Sequence, residues 1–588
     1  NLVGTLAAAG IDDQAWSESL GMIRTAERTQ GAILRELLEH ERHRFLGTQR
    51  GQLDLHLSLA GDLPARATQA LDAVLRWKGS VARSLRRSRT DLFEQLDEDA
   101  GLALVELRTL REQLTDLFWA PEKGDRERHV ARLEELRRQV QTYERELLEN
   151  AAPDPAETAG TVELIEAMSA NEALLVFFTH DGMIVRDGVL TSVPARLIAW
   201  VVRPTGIQRV DLGAKEDLHK VVLAYLETLR GMRGVGVEGA QQDATRHVYD
   251  HLWAPLAPHL EGVRHLVVSP DGFLNLLPFG TLADAQGRFL LERFSFSTSD
   301  DPLARLVERP VTTAVPSLVA IGGIDYDAPS DGLALAELPP GESVALQVGD
   351  ASTHRTRVRD TWAPLPHTAS EMRAVLALHR SAFGGDATRT GLTGQLASEA
   401  AVRDALSTAS VVHLATHGFF DPAPVATTAS DGRIEFLPVA PRVQEDSPGV
   451  LAGLVLAGAN ARESSSRGNG LLTAEELAWL DLRSADLVVL SACETALGKP
   501  WPGEGMASLR SALHSAGVRT VVSSLWAVPD QETADLMESL YRGLWTEGLP
   551  PGEALRRAQL ESLARNRFAG RGPRPATWGA FVLSGAWR

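Results

Sequence analysis

Through residues 1–150 the apolar positions fall at helical spacing. Across residues 102–118 they return every three or four places, which lines them along one helix face. Residues 131–140 add Glu-to-Arg pairs one turn apart. β-Branched residues are scarce, and Gly51, Gly61 and Gly124 read as breaks. The pattern predicts paired helices, either a solenoid or a plain bundle, because no clean repeat of about 34 residues emerges.

The texture changes after Ala151-Ala-Pro-Asp-Pro-Ala156, a proline-containing linker taken as residues 151–159. Residues 173–178 form a short apolar run ending near Asp181 and Gly182, and residues 265–269 form another ahead of Pro270-Asp271-Gly272. Further runs stand at 318–322, 411–415, 487–491 and 518–523, with helical stretches such as 370–379 and 505–516 between them. Short apolar runs alternating with helices predict buried parallel strands covered on both faces. The expected layout is a helical region over 1–150, one α/β half over 160–310 and a second over 315–588.

Charge and cysteine count narrow the function. A net charge of -18 argues against a broad nucleic-acid face, which needs clustered Lys and Arg. The local exception, Arg83-Ser-Leu-Arg-Arg-Ser-Arg89, reads as a solvated helix face. One cysteine permits neither an internal disulfide nor a cysteine-based metal site, which suggests a reducing, cytoplasmic setting. No run of 18 apolar residues is present, so no membrane-spanning helix is expected. No signal-peptide pattern shows, although the chain opens on Asn1 rather than Met, which leaves its natural start open.

In a parallel sheet, chemistry collects at the carboxyl ends of the strands. His417 and Gly418 follow the run 411–415, and Cys493 follows the run 487–491. A thiol acts as a nucleophile only as thiolate, and a neighbouring imidazole can take its proton and later return it to a leaving amine. The amides of Gly418 and Cys493 are the candidate oxyanion hole. On residue type alone, a lone cysteine is more often inert packing than a nucleophile, and His417 could equally be a core or loop histidine. His413 makes a His-x-x-x-His spacing with His417, but a zinc site of that kind needs a helix, so His413 reads as a structural strand residue.

The local wording is more specific. Val411-Val-His-Leu-Ala-Thr-His-Gly-Phe-Phe420 resembles the histidine motif of the CHAT family, caspase-like cysteine peptidases related to separase and caspases. The segment Asp481-Leu-Arg-Ser-Ala-Asp-Leu-Val-Val-Leu-Ser-Ala-Cys-Glu-Thr-Ala-Leu-Gly498 resembles its cysteine motif. Leu451-Ala-Gly-Leu-Val-Leu-Ala-Gly-Ala-Asn460, Leu365-Pro-His-Thr-Ala-Ser-Glu371 and the closing Pro575-Ala-Thr-Trp-Gly-Ala-Phe-Val-Leu-Ser-Gly585 match in order. Residues 70–79 are similar to the segment that joins tetratricopeptide-like helices to such a domain.

The resemblance implies a caspase-like parallel-sheet sandwich behind an all-α, tetratricopeptide-like region. Its first half would be a degenerate lobe, and its second half would hold the dyad Cys493 and His417. It also implies an endopeptidase; no metal or organic cofactor is implied, and a need for calcium is left open. A protein or ribonucleoprotein partner would activate it through the helical region, in bacterial defence or cell-death signalling. The alternative is a non-catalytic scaffold or adaptor. Four residues are weaker pocket candidates. Glu494 could shape the pocket or serve as a helix N-terminal carboxylate. Asp325 and Asp327 could select Arg or Lys, or be exposed turn residues. Trp526 could be pocket wall or core. The polar stretch 461–470 reads as a lid, an activation switch or an idle loop.

Overall fold

The computed structural model describes every residue except 1, 62, 120–125, 149–158, 187–188, 231–236, 308–314, 329–360, 422–425, 429–433, 437–446, 462–467, 493–497 and 502–504. Among the described residues the first part is built of helices alone, Leu2–Ala8, Asp12–Glu36, Glu39–Ala60, Pro64–Trp77, Ser80–Glu94, Glu98–Trp119 and Arg126–Leu148. Gly61 ends a helix at φ 51°, as expected, whereas Gly51 lies inside Glu39–Ala60 and breaks nothing. Gly124 lies outside the described residues. The pair Asp12–Glu36 and Glu39–Ala60 is already longer than a repeat of about 34 residues. This is a helical array without that period.

The array is docked rather than tethered. After Pro64–Trp77 the chain turns at Lys78 and Gly79. The ammonium of Lys78, 1% exposed, donates to Phe177 O at 3.2 Å and to Pro270 O at 2.6 Å. Gly79 has φ 66°, and a Cβ there would stand 2.5 Å from Asp301 Cβ, so only glycine fits. The arginines of 83–89 depart from the expectation of a solvated face. Arg83 and Arg89 are buried because this face meets the α/β part. Arg83 lies 3.4 Å from Asp301 and donates to Lys78 O at 2.9 Å, and Arg89 stacks over Trp479 at 4.8 Å. Buried guanidinium groups of this kind need such partners to offset desolvation.

The rest is built on one eleven-stranded sheet. In spatial order its strands are Gly206–Ala214, Val189–Arg203, Glu172–Arg186, His265–Ser269, Ser295–Thr298, Phe581–Gly585, Thr520–Ser524, Leu487–Ser491, Val411–Ala415, Leu318–Ile324 and Arg389–Gly394. The last five run parallel to one another. Phe581–Gly585 is antiparallel to Thr520–Ser524 yet parallel to Ser295–Thr298. The two halves therefore point opposite ways, and their carboxyl ends open on opposite edges.

Alternation explains how both faces are covered. Leu174, Val176 and Phe178 pack toward the helical array, while Leu175 and Phe177 pack on the other face. In the second half Val412, Leu414, Val488 and Leu490 share one core and Leu487 and Val489 another. Each such fully buried side chain contributes about 1.5–3 kcal/mol. The helix expected over 505–516 divides: Gly505–Ser508 is a strand paired with Gly498–Trp501, and Ser508 then caps Leu509–Ser515.

Candidate active site

Val411–Ala415 lies between Leu318–Ile324 and Leu487–Ser491, all three parallel and buried. Ala415 pairs with Ser491, so the two chains leave the sheet side by side. His417 lies two residues beyond one strand, as Cys493 does beyond the other in sequence. Cys493 and Glu494 lie outside the described residues, and the description stops at Ala492.

His413 points into the sheet interior, wholly buried. Its Nδ1 lies 3.2 Å from Tyr541 Oη, and its Nε2 lies 3.0 Å from Glu371 Oε1 without hydrogen-bond alignment. It belongs to a buried polar cluster beneath the site.

His417 is half-buried and held on several sides. Its Nε2 is 2.7 Å from Ala363 O. A carbonyl can only accept, so Nε2 carries the proton and Nδ1 is the basic nitrogen of the neutral ring. The ring lies against Tyr326, with centroids 5.1 Å apart, and against Trp362 at 5.3 Å. The hydroxyls of Tyr326 and Thr416 are 3.1 Å apart, which fixes the first of these walls.

Beyond His417 the chain forms the short strand Gly418–Phe420, paired antiparallel with Ala452–Val455. Val455 N donates to His417 O at 2.9 Å, and Asp421 N donates to Leu451 O at 2.9 Å. Antiparallel bonding alternates, so Gly418 occupies a non-hydrogen-bonded position and its N–H points off this ladder. Such an amide can meet an oxyanion. Gly453, opposite Phe419, has room for no side chain: a Cβ there would lie 2.5 Å from Phe419 Cζ.

Asp325 and Asp327 are exposed and flank Tyr326, whose ring lies against the histidine. Their engagements differ. Asp327 Oδ1 accepts from Asn460 Nδ2 at 2.8 Å, whereas Asp325 Oδ1 accepts from Asp327 N at 3.1 Å. Trp526 is 5% exposed within the main core, its indole N–H on Ala576 O at 2.8 Å. Of the two readings of Trp526, these contacts are those of core packing. Of the stretch 461–470, residues 462–467 lie outside the described residues. Its end is tethered: Asn469 N donates to Glu399 Oε2 at 3.1 Å, and Asn469 Nδ2 donates to Asp116 of the helical array.

Four contributors escape sequence reasoning: Tyr326, Trp362, the carbonyl of Ala363, and Asn460. A backbone carbonyl leaves no trace in residue type. Asn460 has a faint signal, a polar residue closing the apolar run 451–460. A further contact joins the helical array to this place. Trp119 donates its indole N–H to Val450 O at 3.1 Å and meets Phe419 edge-on at 5.6 Å. A cleft of about 850 Å³ among the described residues lies at the opposite edge, where Arg519 precedes Thr520–Ser524. Arg86 meets Asp301 there at 3.0 Å and Arg305 meets Glu172 at 2.6 Å, ion pairs that compensate charge along this seam. Among the described residues no cluster of three or more His, Cys, Asp or Glu suits a metal ion, and no helix is long and apolar enough to cross a membrane.

Comparison with known proteins agrees with the resemblance in the motifs. Tetratricopeptide repeat protein 28 of Mus musculus is 27% identical over 366 residues, 58% of this chain and 13% of that protein. Its Homo sapiens counterpart is 27% identical over 365 residues, with the same coverage. The chain thus spans 13% of the length of these curated relatives. Among solved structures, the Saccharomyces cerevisiae separase–securin complex aligns with 97% of this chain and 48% of that chain, at 8% identity and a TM-score of 0.40. The Arg-specific cysteine proteinase gingipain R aligns with 63% of this chain and 74% of that chain, at 10% identity and a TM-score of 0.32. The family model described as the CHAT domain matches residues 242–586, and the chain belongs to the CHAT-domain family.

Proposed function

We propose that the chain is a cysteine endopeptidase in which Cys493 is the nucleophile and His417 its base. The observation that carries this is the setting of His417. It stands at the carboxyl end of a central parallel strand, its Nε2–H is fixed on Ala363 O, and its strand is in register with the one leading to the chain's single cysteine. In the reaction Nδ1 accepts the thiol proton, and the thiolate sulfur forms a bond to the scissile carbonyl carbon. The oxyanion is met by the Gly418 amide, with the Cys493 amide as second donor. Collapse breaks the C–N bond, and the imidazolium returns its proton to the departing amine. Water, deprotonated by the same ring, then releases the acid product and frees the thiol.

Asp325 is the better candidate for selecting a basic residue before the cut, because Asp327 is committed to Asn460. The helical array is the natural place for an activating partner. Trp119 on Phe419 and Asp116 on Asn469 are direct contacts through which binding there could move the site.

The test is cleavage of a peptide library varied at the residue before the cut, by wild type, Cys493→Ala, His417→Ala and Asp325→Asn. The reading expects both dyad variants to be inactive and Asp325→Asn to lose preference for Arg or Lys. Cleavage retained in Cys493→Ala sinks it. Silence of the wild type with every candidate partner favours the scaffold.

A further inference from the structure

The structure points to Asn460 as a positioning residue for His417, and this inference rests on the dyad reading above. Its side-chain amide bonds to the walls of the site at three points. Oδ1 accepts from Trp362 N at 2.7 Å, and Nδ2 donates to Trp362 O at 3.1 Å and to Asp327 Oδ1 at 2.8 Å. These partners fix the orientation of the amide: an N–H requires the oxygen, and a carbonyl and a carboxylate require the nitrogen. The backbone N–H of Asn460 donates to Tyr326 O at 2.9 Å.

Asn460 therefore grips the backbone of one residue, Trp362, at two points and is itself anchored to another, Tyr326. Those two residues supply the rings against His417. The residue after Trp362 supplies the carbonyl that receives Nε2–H. Among the described residues the Asn460 side chain makes no hydrogen bond to the imidazole; it acts through the segment 362–363. If that segment drifts, Ala363 O leaves Nε2, the ring loses this anchor, and the tautomer with Nδ1 basic loses its support.

Few side chains can do this. Aspartate would keep the acceptor for Trp362 N but could not donate to Trp362 O, and it would set a carboxylate against Asp327. Glutamine is one methylene too long for the same grip. Alanine leaves the Trp362 peptide without its partner.

The experiment uses the full chain, its only cysteine being Cys493. Iodoacetamide alkylation is followed by intact mass across pH in wild type, Asn460→Ala, Asn460→Asp, His417→Ala and the double variant Asn460→Ala/His417→Ala. Folding is checked by thermal melting. The proposal expects wild type to react with an apparent pKa well below the free-thiol value of about 8.5. Asn460→Ala and Asn460→Asp should raise it and slow alkylation at neutral pH by roughly 10–100-fold, the cost of a misplaced base. Asn460→Ala should change nothing further once His417 is gone. An unchanged profile in both single variants overturns the proposal while leaving the dyad standing. Equal slowing by Asn460→Ala with and without His417 also overturns it, because the effect then bypasses the histidine. A wild-type profile that ignores His417→Ala overturns both the dyad and the proposal.

Discussion

Replacing Glu399 with glutamine should change how the stability of this protein depends on pH. Glu399 is 2% exposed. Burial pushes its carboxyl from 4.5 up to about 7, against the opposing pull of Arg403, and Glu112 and Asp116 of the helical array add to the rise. An acid that titrates higher in the fold than in the unfolded chain holds its proton longer when folded. The folded state then binds more protons between pH 4.5 and about 7, so stability falls as pH rises through that window. At about 1.4 kcal/mol per decade, the loss comes to roughly 3–4 kcal/mol above pH 7. Glutamine keeps the shape and an acceptor for Asn469 N but cannot ionise. Glu399→Gln should match wild type near pH 4.5 and exceed it by up to roughly 3–4 kcal/mol at pH 8. The assay is urea unfolding at several pH values, followed by tryptophan fluorescence and reported as midpoints. Parallel curves for the two proteins would refute the reasoning, as would a variant less stable than wild type at pH 8. Glu476, also raised by burial and next by Glu399, should titrate lower in the variant.

Three further outcomes follow from the packing. Gly79→Ala forces a left-handed residue against Asp301 and should destabilise the joint by roughly 2–5 kcal/mol, read as a lower melting temperature. Trp119→Ala removes an edge-on ring pair and a hydrogen bond and should cost about 2 kcal/mol; probe labelling of Cys493 should slow if the contact supports the site, and Trp119→Phe should restore most of it. Gly453→Ala drives a methyl into Phe419, two residues past His417, so labelling should fall several-fold at a stability cost of about 1–3 kcal/mol, and an unchanged rate would separate Phe419 from the chemistry.

The strands at 173–178, 265–269, 318–322, 411–415, 487–491 and 518–523 were legible because they are buried on both faces and read as short apolar runs, whereas Gly206–Ala214 and Arg389–Gly394 are not buried and left no such run. His417 was legible because the carboxyl-end rule and the local motif agree on it. Other features depend on partners distant in sequence. Arg83 and Arg89 look like solvent-facing charges until Asp301 and Trp479 are brought beside them. Trp526 looks like a pocket aromatic until its indole meets Ala576 O. The single strand order joining both halves depends on Phe581–Gly585 inserting antiparallel to one neighbour and parallel to the other, which no local pattern encodes. Gly505–Ser508 became a strand because a partner lies opposite it.

The central claim is that His417 activates Cys493 toward peptide carbonyls. Its most direct test is the rate of adduct formation with a peptide bearing a carbonyl-directed warhead, followed by intact mass in wild type, Cys493→Ala and His417→Ala. The account predicts one adduct on wild type, none on Cys493→Ala and a rate at least about 100-fold lower on His417→Ala. An adduct on Cys493→Ala, or equal rates with and without His417, would contradict it.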